Sequence, residues 1–245
     1  MKVTVCVKKG VEKNICEDSA AVDGIVVNSG VYCTELETPH LICVADGVGG
    51  NAGGKNASCF VCNSLSNAMF STDNDAVRQQ LLSINTSLIE YAYSTKREKK
   101  MATTLTGVLF TGDVAFLVHV GNTRLYTACG KYLQQLTKDH TTHQWLIDQG
   151  YYEEAELRDN SEITCCFGGG EASLLNNMEL NQVFQGGLPN LLFLTSDGIH
   201  DYIDIDRLEE LLLTDQDDSI IVQSVIAEAE KNESRDDKTI IILRL

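Results

Sequence analysis

Three acidic positions in this chain of 245 residues stand at the ends of apolar runs, where a carboxylate is well placed to act as a ligand. Asp46 follows the apolar residues 41–45, and glycines occupy three of the next four positions. Asp197 follows a second apolar run and precedes another glycine, and the Asp236-Asp237 pair lies just before the last apolar run. Apolar runs of this length are typical of buried strands, and glycines let other backbone approach closely. We therefore interpret these carboxylates as ligands held at strand ends.

The chemistry of such a group follows from charge. Carboxylates that converge on one point repel each other, so they either take up protons or bind a hard cation such as Mg²⁺ or Mn²⁺, which prefers oxygen ligands. The alternative is that each Asp-Gly pair forms a hairpin turn, and for one copy alone the turn is the better interpretation. Two strand-Asp-Gly elements, the first followed by Gly-Gly and a helix, together with the Asp-Asp pair favour a metal site.

The elements that must position these carboxylates are predicted from periodicity and turn signals. We expect strands at 2–8, 20–27, 102–110, 114–120, 124–128, 132–136, 178–184, 191–195 and 239–245, and helices at 53–70, 75–95, 205–213 and 219–231. The four closely spaced strands between residues 102 and 136 predict an antiparallel meander. The more polar stretch 139–171 is expected to be a mobile surface flap.

Helices inserted in two blocks, without βαβ alternation, favour an α+β fold. One small sheet could not bury so many strands. We therefore expect two antiparallel β-sheets packed as a central sandwich flanked by helices on both sides, a four-layer α-β-β-α arrangement. Residues 1–245 are expected to form a single catalytic domain, because the length suits one large core and no stretch resembles a linker.

The composition excludes several classes of partner. A formal net charge of −16 opposes binding to nucleic acid or to an anionic membrane, because both surfaces would repel the chain. No apolar run approaches the length of a membrane span, and the first residues alternate like a strand rather than like a signal peptide. The nine cysteines are scattered without a disulfide framework, which favours a reduced, cytoplasmic compartment.

Seven short motifs resemble those of the metal-dependent protein serine/threonine phosphatases of type 2C, in their compact bacterial form. Each motif is weak alone, but they follow the family's order and cover nearly the whole chain. They are Glu17-Asp18-Ser19, Asp46-Gly47-Val48-Gly49-Gly50, Ala102-Thr103-Thr104-Leu105, Val120-Gly121-Asn122-Thr123-Arg124, Leu136-Thr137-Lys138-Asp139-His140, Thr195-Ser196-Asp197-Gly198 and Asp236-Asp237-Lys238-Thr239. The fold that this resemblance implies, a β-sandwich flanked by helices, agrees with the fold predicted from periodicity.

The resemblance also implies a reaction and two metal ions. The reaction is hydrolysis of phosphoserine or phosphothreonine on proteins by a water that bridges two Mn²⁺ or Mg²⁺ ions, which lower the pKa of the water and offset charge on the phosphoryl group. Asp46 is expected to bridge both ions, and the Gly47 carbonyl to complete the shell of one. The expected ligands of the other ion are Asp197 and Asp236, while Glu17 and Asp18 are expected to act through metal-bound water. The catalytic residues implied are Asp46, Asp197 and Asp236.

Three residues depart from the family pattern. Lys13 stands where the family usually has an arginine that grips the substrate phosphate, so the charge remains but the two-point grip is lost. Asn122 replaces an aspartate that helps to bind a third metal ion, so we expect that ion to be weak or absent. Asp237 replaces the usual asparagine beside the metal ligand. His200 is interpreted as an ordinary histidine at the start of a helix.

Two functions stay open at this point. The first is an active phosphatase, which the retention of all four expected metal ligands favours. The second, suggested by Lys13 and Asn122, is a catalytically weak phosphoprotein-binding regulatory module of the same fold. In either case the expected partner of this monomeric protein is a phosphorylated protein, such as a serine/threonine kinase or the target of one.

Overall fold

Two six-stranded antiparallel sheets form the centre of the molecule, which a computed structural model describes over residues 1–48, 52–95, 100–158, 160–184 and 187–245, without the side chains of residues 52 and 184. In spatial order, sheet I contains β11 (Tyr132–Gln135), β10 (Arg124–Cys129), β14 (Leu191–Thr195), β15 (Lys238–Arg244), β1 (Lys2–Lys8) and β4 (Gly30–Glu35). Sheet II contains β13 (Glu179–Phe184), β9 (Val114–Val120), β8 (Leu105–Thr111), β5 (Leu41–Ala45), β2 (Ser19–Val22) and β3 (Ile25–Val27).

A third, small sheet, seven α-helices and a 3₁₀ helix (Ala172–Leu175) complete the described part of the chain. The small sheet contains β12 (Phe167–Gly168), β7 (Ala102–Thr103) and β6 (Gly47–Val48). The helices are α1 (Ala52–Ser66), α2 (Asn74–Ser94), α3 (Thr142–Gln149), α4 (Tyr152–Glu156), α5 (Asp197–His200), α6 (Ile205–Leu212) and α7 (Asp218–Lys231). None of the described helices combines the length and the apolar character that crossing a membrane requires.

The continuous apolar runs arise because the central strands are covered on both faces. In β5, Ile42 and Val44 pack between the two sheets, whereas Leu41 and Cys43 pack against α1 and α2. The strand β15 repeats this alternation, since its even-numbered isoleucines pack against α5, α6 and α7 and its odd-numbered apolar residues pack between the sheets. Three apolar cores therefore separate four layers, and the predicted α-β-β-α sandwich is confirmed.

The predicted meander between residues 102 and 136 is wrong. The predicted strand 102–110 is interrupted at Thr104, so that β7 lies in the small sheet and β8 lies in sheet II. The chain then leaves sheet II after β9 and enters sheet I at β10, and Gly121 makes this crossing with φ of 97°. A side chain at Gly121 would also collide with Thr104, because an ideal Cβ there lies 2.4 Å from the Thr104 Cγ2 atom. Strand spacing alone predicts which segments are extended, but it does not show which segments pair.

Two further segments differ from the expectation. The predicted strand 20–27 is a hairpin of β2 and β3, because Asp23 and Gly24 both have positive φ and form the turn. In the expected flap, Cys165 and Phe167 lie fully buried in the core between sheet II and its helices. The last part of the 139–171 segment is therefore a packed part of the sandwich, while the mobility of the segment stays a prediction.

Candidate active site

The strand register brings the acidic motifs to one end of the sandwich. In sheet II, Ser19 of β2 pairs with Ala45 of β5, so the residues just before Ser19 lie beside Asp46. In sheet I, Thr195 of β14 pairs with Ile240 of β15, so Asp197 lies beside the segment that precedes β15. Carboxylates from four strands and two sheets therefore meet, as their positions at strand ends predicted.

Asp18 joins the two sheets through hydrogen bonds. Its Oδ2 atom accepts from the Ser196 hydroxyl at 2.8 Å and from the Thr239 hydroxyl at 2.7 Å. The Thr239 backbone N–H donates in turn to the Ser196 hydroxyl at 2.9 Å. Each of these three residues belongs to a motif of the family resemblance. The serine and the threonine thus hold a carboxylate of sheet II against the strand ends of sheet I.

The threonine pair holds Asp46 by its backbone. The Asp46 N–H donates to the Thr104 hydroxyl at 2.9 Å, and the Asp46 carbonyl accepts from the Thr103 hydroxyl at 2.8 Å and from the Thr104 N–H at 2.9 Å. With its backbone fixed at these three points, Asp46 can direct its carboxylate towards the other acidic residues. The interruption of the strand at Thr104 is therefore part of how the site is built.

Gly47 lies so close to the start of α1 that a residue with a side chain would not fit at its position. An ideal Cβ at Gly47 would lie 2.3 Å from the Gly54 carbonyl oxygen and 2.7 Å from the Glu17 carbonyl oxygen. An ideal Cβ at Gly54 would lie 2.6 Å from the Gly47 carbonyl oxygen and 2.5 Å from the Glu17 Oε1 atom. This packing places the Gly47 carbonyl next to the Glu17 carboxylate. Gly49 and Gly50 of the same motif lie outside the described residues.

Asn122 lies at the crossing between the sheets and contacts Asp197. Its Nδ2 group donates to the Asp197 Oδ2 atom at 3.0 Å, and the asparagine is fully buried. The remaining side-chain oxygens of both residues are buried and have no hydrogen-bond partner. The structure thus places Asn122 beside the expected metal ligand Asp197.

Burial and mutual repulsion raise the pKa values of the clustered carboxyl groups. Burial, followed by the charges of Asp197, Asp18 and Asp236, raises the pKa of Asp46 well above its usual range. Burial and the charge of Asp236 raise the pKa of Asp197. Burial also raises the pKa of Asp18 to about 7, although its hydrogen bonds oppose the rise. A divalent cation would relieve this repulsion.

Lys13 does not present a free ammonium group. It pairs with Asp236 at very short range, with the Asp237 Oδ2 atom at 3.1 Å and with the Glu17 Oε2 atom at 3.6 Å. Burial lowers the pKa of Lys13, but the hydrogen bonds and charges of Asp236 and Asp237 outweigh it and raise the pKa above the usual value. Sequence reasoning missed this pairing, although the replacement of asparagine by aspartate at 237 signalled an extra negative charge that needs a partner.

The donor atoms at this end fit the hard cations that the resemblance implies. Among the described residues, no three His, Cys, Asp or Glu side chains are already grouped around one point as ligands. However, four buried side-chain oxygens have no hydrogen-bond partner, and they belong to Glu17, Asp18, Asn122 and Asp197. Buried oxygens that lack a donor are costly unless a cation or water satisfies them. With the Asp46 carboxylate and the Gly47 carbonyl nearby, they form the all-oxygen donor set that Mn²⁺ and Mg²⁺ prefer.

Further polar contacts support the site from the side of the expected flap. The Arg124 guanidinium donates to both Asp139 oxygens at 2.6 to 3.1 Å, and the Asn160 amide donates to Asp139 at 3.2 Å and to Asp201 at 3.4 Å. Arg124 and Asp139 were recognised only as motif residues, although their opposite charges offered a signal for pairing. His200 is buried, and its Nδ1 atom lies 2.7 Å from the Thr195 hydroxyl.

Comparison with known proteins gives several protein phosphatases as relatives of this chain. A sequence profile described as Protein phosphatase 2C matches residues 12–216. The serine/threonine phosphatase stp of Listeria welshimeri serovar 6b is 25% identical over 225 residues, which cover 88% of each chain. The serine/threonine protein phosphatase PstP of Mycobacterium tuberculosis is 32% identical over 131 residues, which cover 50% of this chain. The chain spans only a quarter of the length of that protein, since the match covers 25% of it.

Solved structures show the same fold. The serine/threonine phosphatase Stp1 from Staphylococcus aureus superposes with a TM-score of 0.81 at 22% identity, covering 99% of this chain and 94% of that one. The catalytic domain of PstP in complex with two manganese ions superposes with a TM-score of 0.76 at 23% identity, covering 99% and 98% of the two chains. At these identities the likeness supports the fold alone, which is the sandwich predicted from the sequence.

Proposed function

Because this chain belongs to the protein phosphatase 2C family, we propose that it is a phosphoric monoester hydrolase that removes phosphate from phosphoserine and phosphothreonine on proteins. The observation that carries the proposal is the meeting of carboxylates from both sheets, with buried oxygens that lack hydrogen-bond partners. A sandwich that needed only stability would not gather repelling carboxylates at one end. The cluster is chemically useful when it binds divalent cations.

Each residue of the cluster has a proposed part in holding two Mn²⁺ or Mg²⁺ ions. Asp46 would bind both ions and the Gly47 carbonyl one of them, while Asp197 and Asp236 would bind the second. Glu17 and Asp18 would contact the ions indirectly, through water. When bound, the ions would supply an activated water nucleophile and would offset charge on the phosphoryl oxygens. Lys13 would contact the substrate phosphate once it leaves its carboxylate partners, and Asn122 would leave a third ion weak or absent.

The proposed setting is signalling by reversible phosphorylation in the cytoplasm. A monomer of this kind would act on a phosphorylated protein, such as a serine/threonine kinase or its target. The second function, a regulatory module that binds phosphoproteins but hydrolyses them poorly, is favoured by one observation, which is the pairing of Lys13 with Asp236 in place of an open ammonium group.

Phosphate release from a phosphothreonine peptide and hydrolysis of a chromogenic phosphate ester test the proposal. Purified protein should be active with Mn²⁺ or Mg²⁺ and inactive with a chelator, and Asp46→Asn is the matched inactive control. Hydrolysis that persists in chelator, or that is unchanged in Asp46→Asn, would contradict the metal-dependent mechanism. Tight binding of the phosphopeptide with no metal-dependent turnover would instead support the regulatory module.

A further inference from the structure

The ammonium group of Lys13 lies among three carboxylates that belong to, or adjoin, the proposed metal ligands. Asp236 is its closest partner, and the Asp237 and Glu17 carboxylates lie within 3.6 Å. The Lys13 side chain retains 30% of its exposure and that of Asp236 retains 43%, so this contact lies at the mouth of the site. A positive charge of the protein therefore occupies the neighbourhood of a carboxylate that a metal ion would need.

Asp237 fixes the position of this lysine. Its Oδ1 atom accepts from the Gly10 N–H at 2.7 Å, and its Oδ2 atom accepts from the Glu17 N–H at 2.7 Å while facing Lys13. Asp237 is almost completely buried and cannot turn away from these donors without leaving them unpaired. The loop is also tightly packed, since an ideal Cβ at Gly10 would lie 2.2 Å from the Arg235 carbonyl oxygen. The carboxylate is thus a rigid anchor, and Lys13 is the cation that neutralises it.

We infer that Lys13 is a tethered cation that competes with the divalent metal ion for Asp236, and that Asp237 holds it in that position. The inference rests on the proposed function, because it concerns the second metal ion of that site. A divalent ion bound at Asp236 would repel the ammonium group and so displace it from that carboxylate. The displaced group would then be free to contact a phosphate, so the metal ion should bind before phosphate does.

The expected size of the effect follows from charge. An ammonium group at hydrogen-bonding distance offsets a large part of the attraction between its carboxylate partner and another cation. Removing it should tighten the binding of the weaker Mn²⁺ ion by about tenfold in the absence of phosphate, which is the scale of one paired charge at a half-buried site. Lys13 and Asp237 both differ from the residues that the family usually has at these positions. The competition with the metal ion should therefore depend on these two residues being present together.

The test is a titration of purified protein with Mn²⁺, without phosphate or substrate, by calorimetry and by the electron paramagnetic resonance signal of free Mn²⁺. Wild type is compared with Lys13→Met and with Lys8→Met, which removes the same charge from an ion pair with Glu230 at the protein surface. We expect the weaker Mn²⁺ ion to bind about tenfold tighter in Lys13→Met and less than about twofold tighter in Lys8→Met, since an exposed lysine repels the metal ion only weakly through screening solvent.

A second variant guards against misfolding, because Lys13→Met leaves the buried Asp237 without its cation. The double variant Lys13→Met with Asp237→Asn removes one charge of each sign and restores the residue that the family usually has at 237. Its net charge equals that of wild type, so tighter Mn²⁺ binding in this variant cannot arise from overall charge. We expect the same direction of change, with a Tm in chelator close to that of wild type.

The outcomes separate this inference from the proposed function. Equal or weaker Mn²⁺ binding in a folded variant that lacks Lys13 would overturn the competition, whether or not the protein hydrolyses phosphate esters. Unchanged Mn²⁺ binding together with weaker binding of inorganic phosphate would also overturn it, because Lys13 would then act on phosphate alone. Tighter Mn²⁺ binding in the variants that lack Lys13, together with no metal-dependent turnover by wild type, would support the competition and would contradict the proposed enzymatic activity.

Discussion

The two ends of the sandwich shift the pKa values of their buried carboxyl groups in opposite directions. At the paired end, formed by Lys2, Asp218 and Arg244, the Arg244 guanidinium donates to Asp218 at 2.6 and 2.9 Å, and the Lys2 ammonium lies 3.2 Å away. Burial raises the pKa of Asp218, but these partners outweigh it and lower the pKa below the usual value. At the acidic end, formed by Glu17, Asp18, Asp46, Asp197 and Asp236, burial and repulsion raise the pKa values of Asp18, Asp46 and Asp197.

This difference separates residues that stabilise the fold from residues that are proposed to bind metal ions. The paired end satisfies its charges with the protein's own cations, so it should contribute to stability under all conditions that keep those charges. The acidic end keeps carboxylate oxygens without donors and has Lys13 as its nearby cation, paired at the mouth of the site. A protein tolerates such a cost where it serves function. Four measurements can break or sharpen this comparison.

The largest effect is expected at Asp46. Asp46→Asn removes the carboxylate proposed to bind both metal ions, so turnover should fall by at least about a hundredfold, the scale of losing a major electrostatic stabiliser. The Tm in chelator should stay equal or rise, because a repelling charge is removed from the cluster. Steady-state kinetics at saturating Mn²⁺ and thermal unfolding measure the two quantities. Near-normal turnover would show that Asp46 does not bridge the ions.

At the paired end, a substitution is expected to lower stability and to leave turnover unchanged. Asp218→Asn leaves Arg244 and Lys2 without their common partner and should lower the Tm by several degrees, since a hydrogen-bonded charge pair is lost. Turnover of the folded variant at low temperature should equal that of wild type, because the site lies at the opposite end of β15. A variant with normal Tm and impaired turnover would reverse the assignment of the two ends.

A third measurement concerns His119, a buried group at the acidic end that must stay neutral. Burial, followed by the charge of His140, which stacks on it at 4.7 Å, lowers the pKa of His119 to about 4, although the Lys138 carbonyl, Glu179 and Asp139 oppose this. The unfolded chain binds this proton near pH 6.5, so stability should be lost as the pH falls from there towards 4. Between pH 7 and pH 5, wild type should lose about 2 kcal/mol more than His119→Gln, because only wild type has this imidazole.

Urea unfolding at both pH values, in chelator, measures this loss. Comparing each protein with itself at pH 7 cancels the direct effect of the substitution. Losses of equal size in the two proteins would show that His119 titrates normally in the fold.

The smallest effect is expected at Asn122. Asn122→Asp adds a carboxylate beside Asp197, so the protein should bind one more Mn²⁺ ion at a given concentration and should turn over a few times faster, because hard cations bind according to ligand charge. Metal analysis after equilibrium dialysis counts the ions, and kinetics at matched Mn²⁺ concentrations gives the rate. Wild type that already holds three ions with ordinary affinity would contradict the prediction.

The position of the site could be predicted from the sequence because it depends on strand ends. An aspartate that follows an apolar run at once, as Asp46 does, or within three residues, as Asp197 does, must lie near the end of the strand once that run is buried. The four layers followed from the same runs. The alternation within β5 and β15 was invisible, however, because both faces of these strands are apolar.

Other features could not be predicted because they depend on partners distant in the chain. The chain crosses from one sheet to the other at Gly121 because β9 and β10 pair with different strands, which strand spacing does not show. The strands of the small sheet contain only two residues each, which is too short to give a periodic pattern. The partner of Lys13 could not be predicted, because the sequence around a lysine on the turn between β1 and β2 does not show whether the side chain faces solvent, a phosphate or a carboxylate. Its contact with Asp236 spans 223 positions of sequence.

The place of β15 in sheet I sets the order in which the molecule can be completed during synthesis. This strand pairs with β1 on one side and with β14 on the other. The strand β1 therefore cannot join β14 in sheet I until β15 has been synthesised. Thr239 on β15 also donates to Asp18, and Asp236 immediately precedes the strand. A nascent chain still lacking β15 has a divided sheet and an incomplete acidic end. The ribosome must therefore release these residues before the acidic end can form, so the proposed metal binding and phosphatase activity would arise only after β15 has joined sheet I.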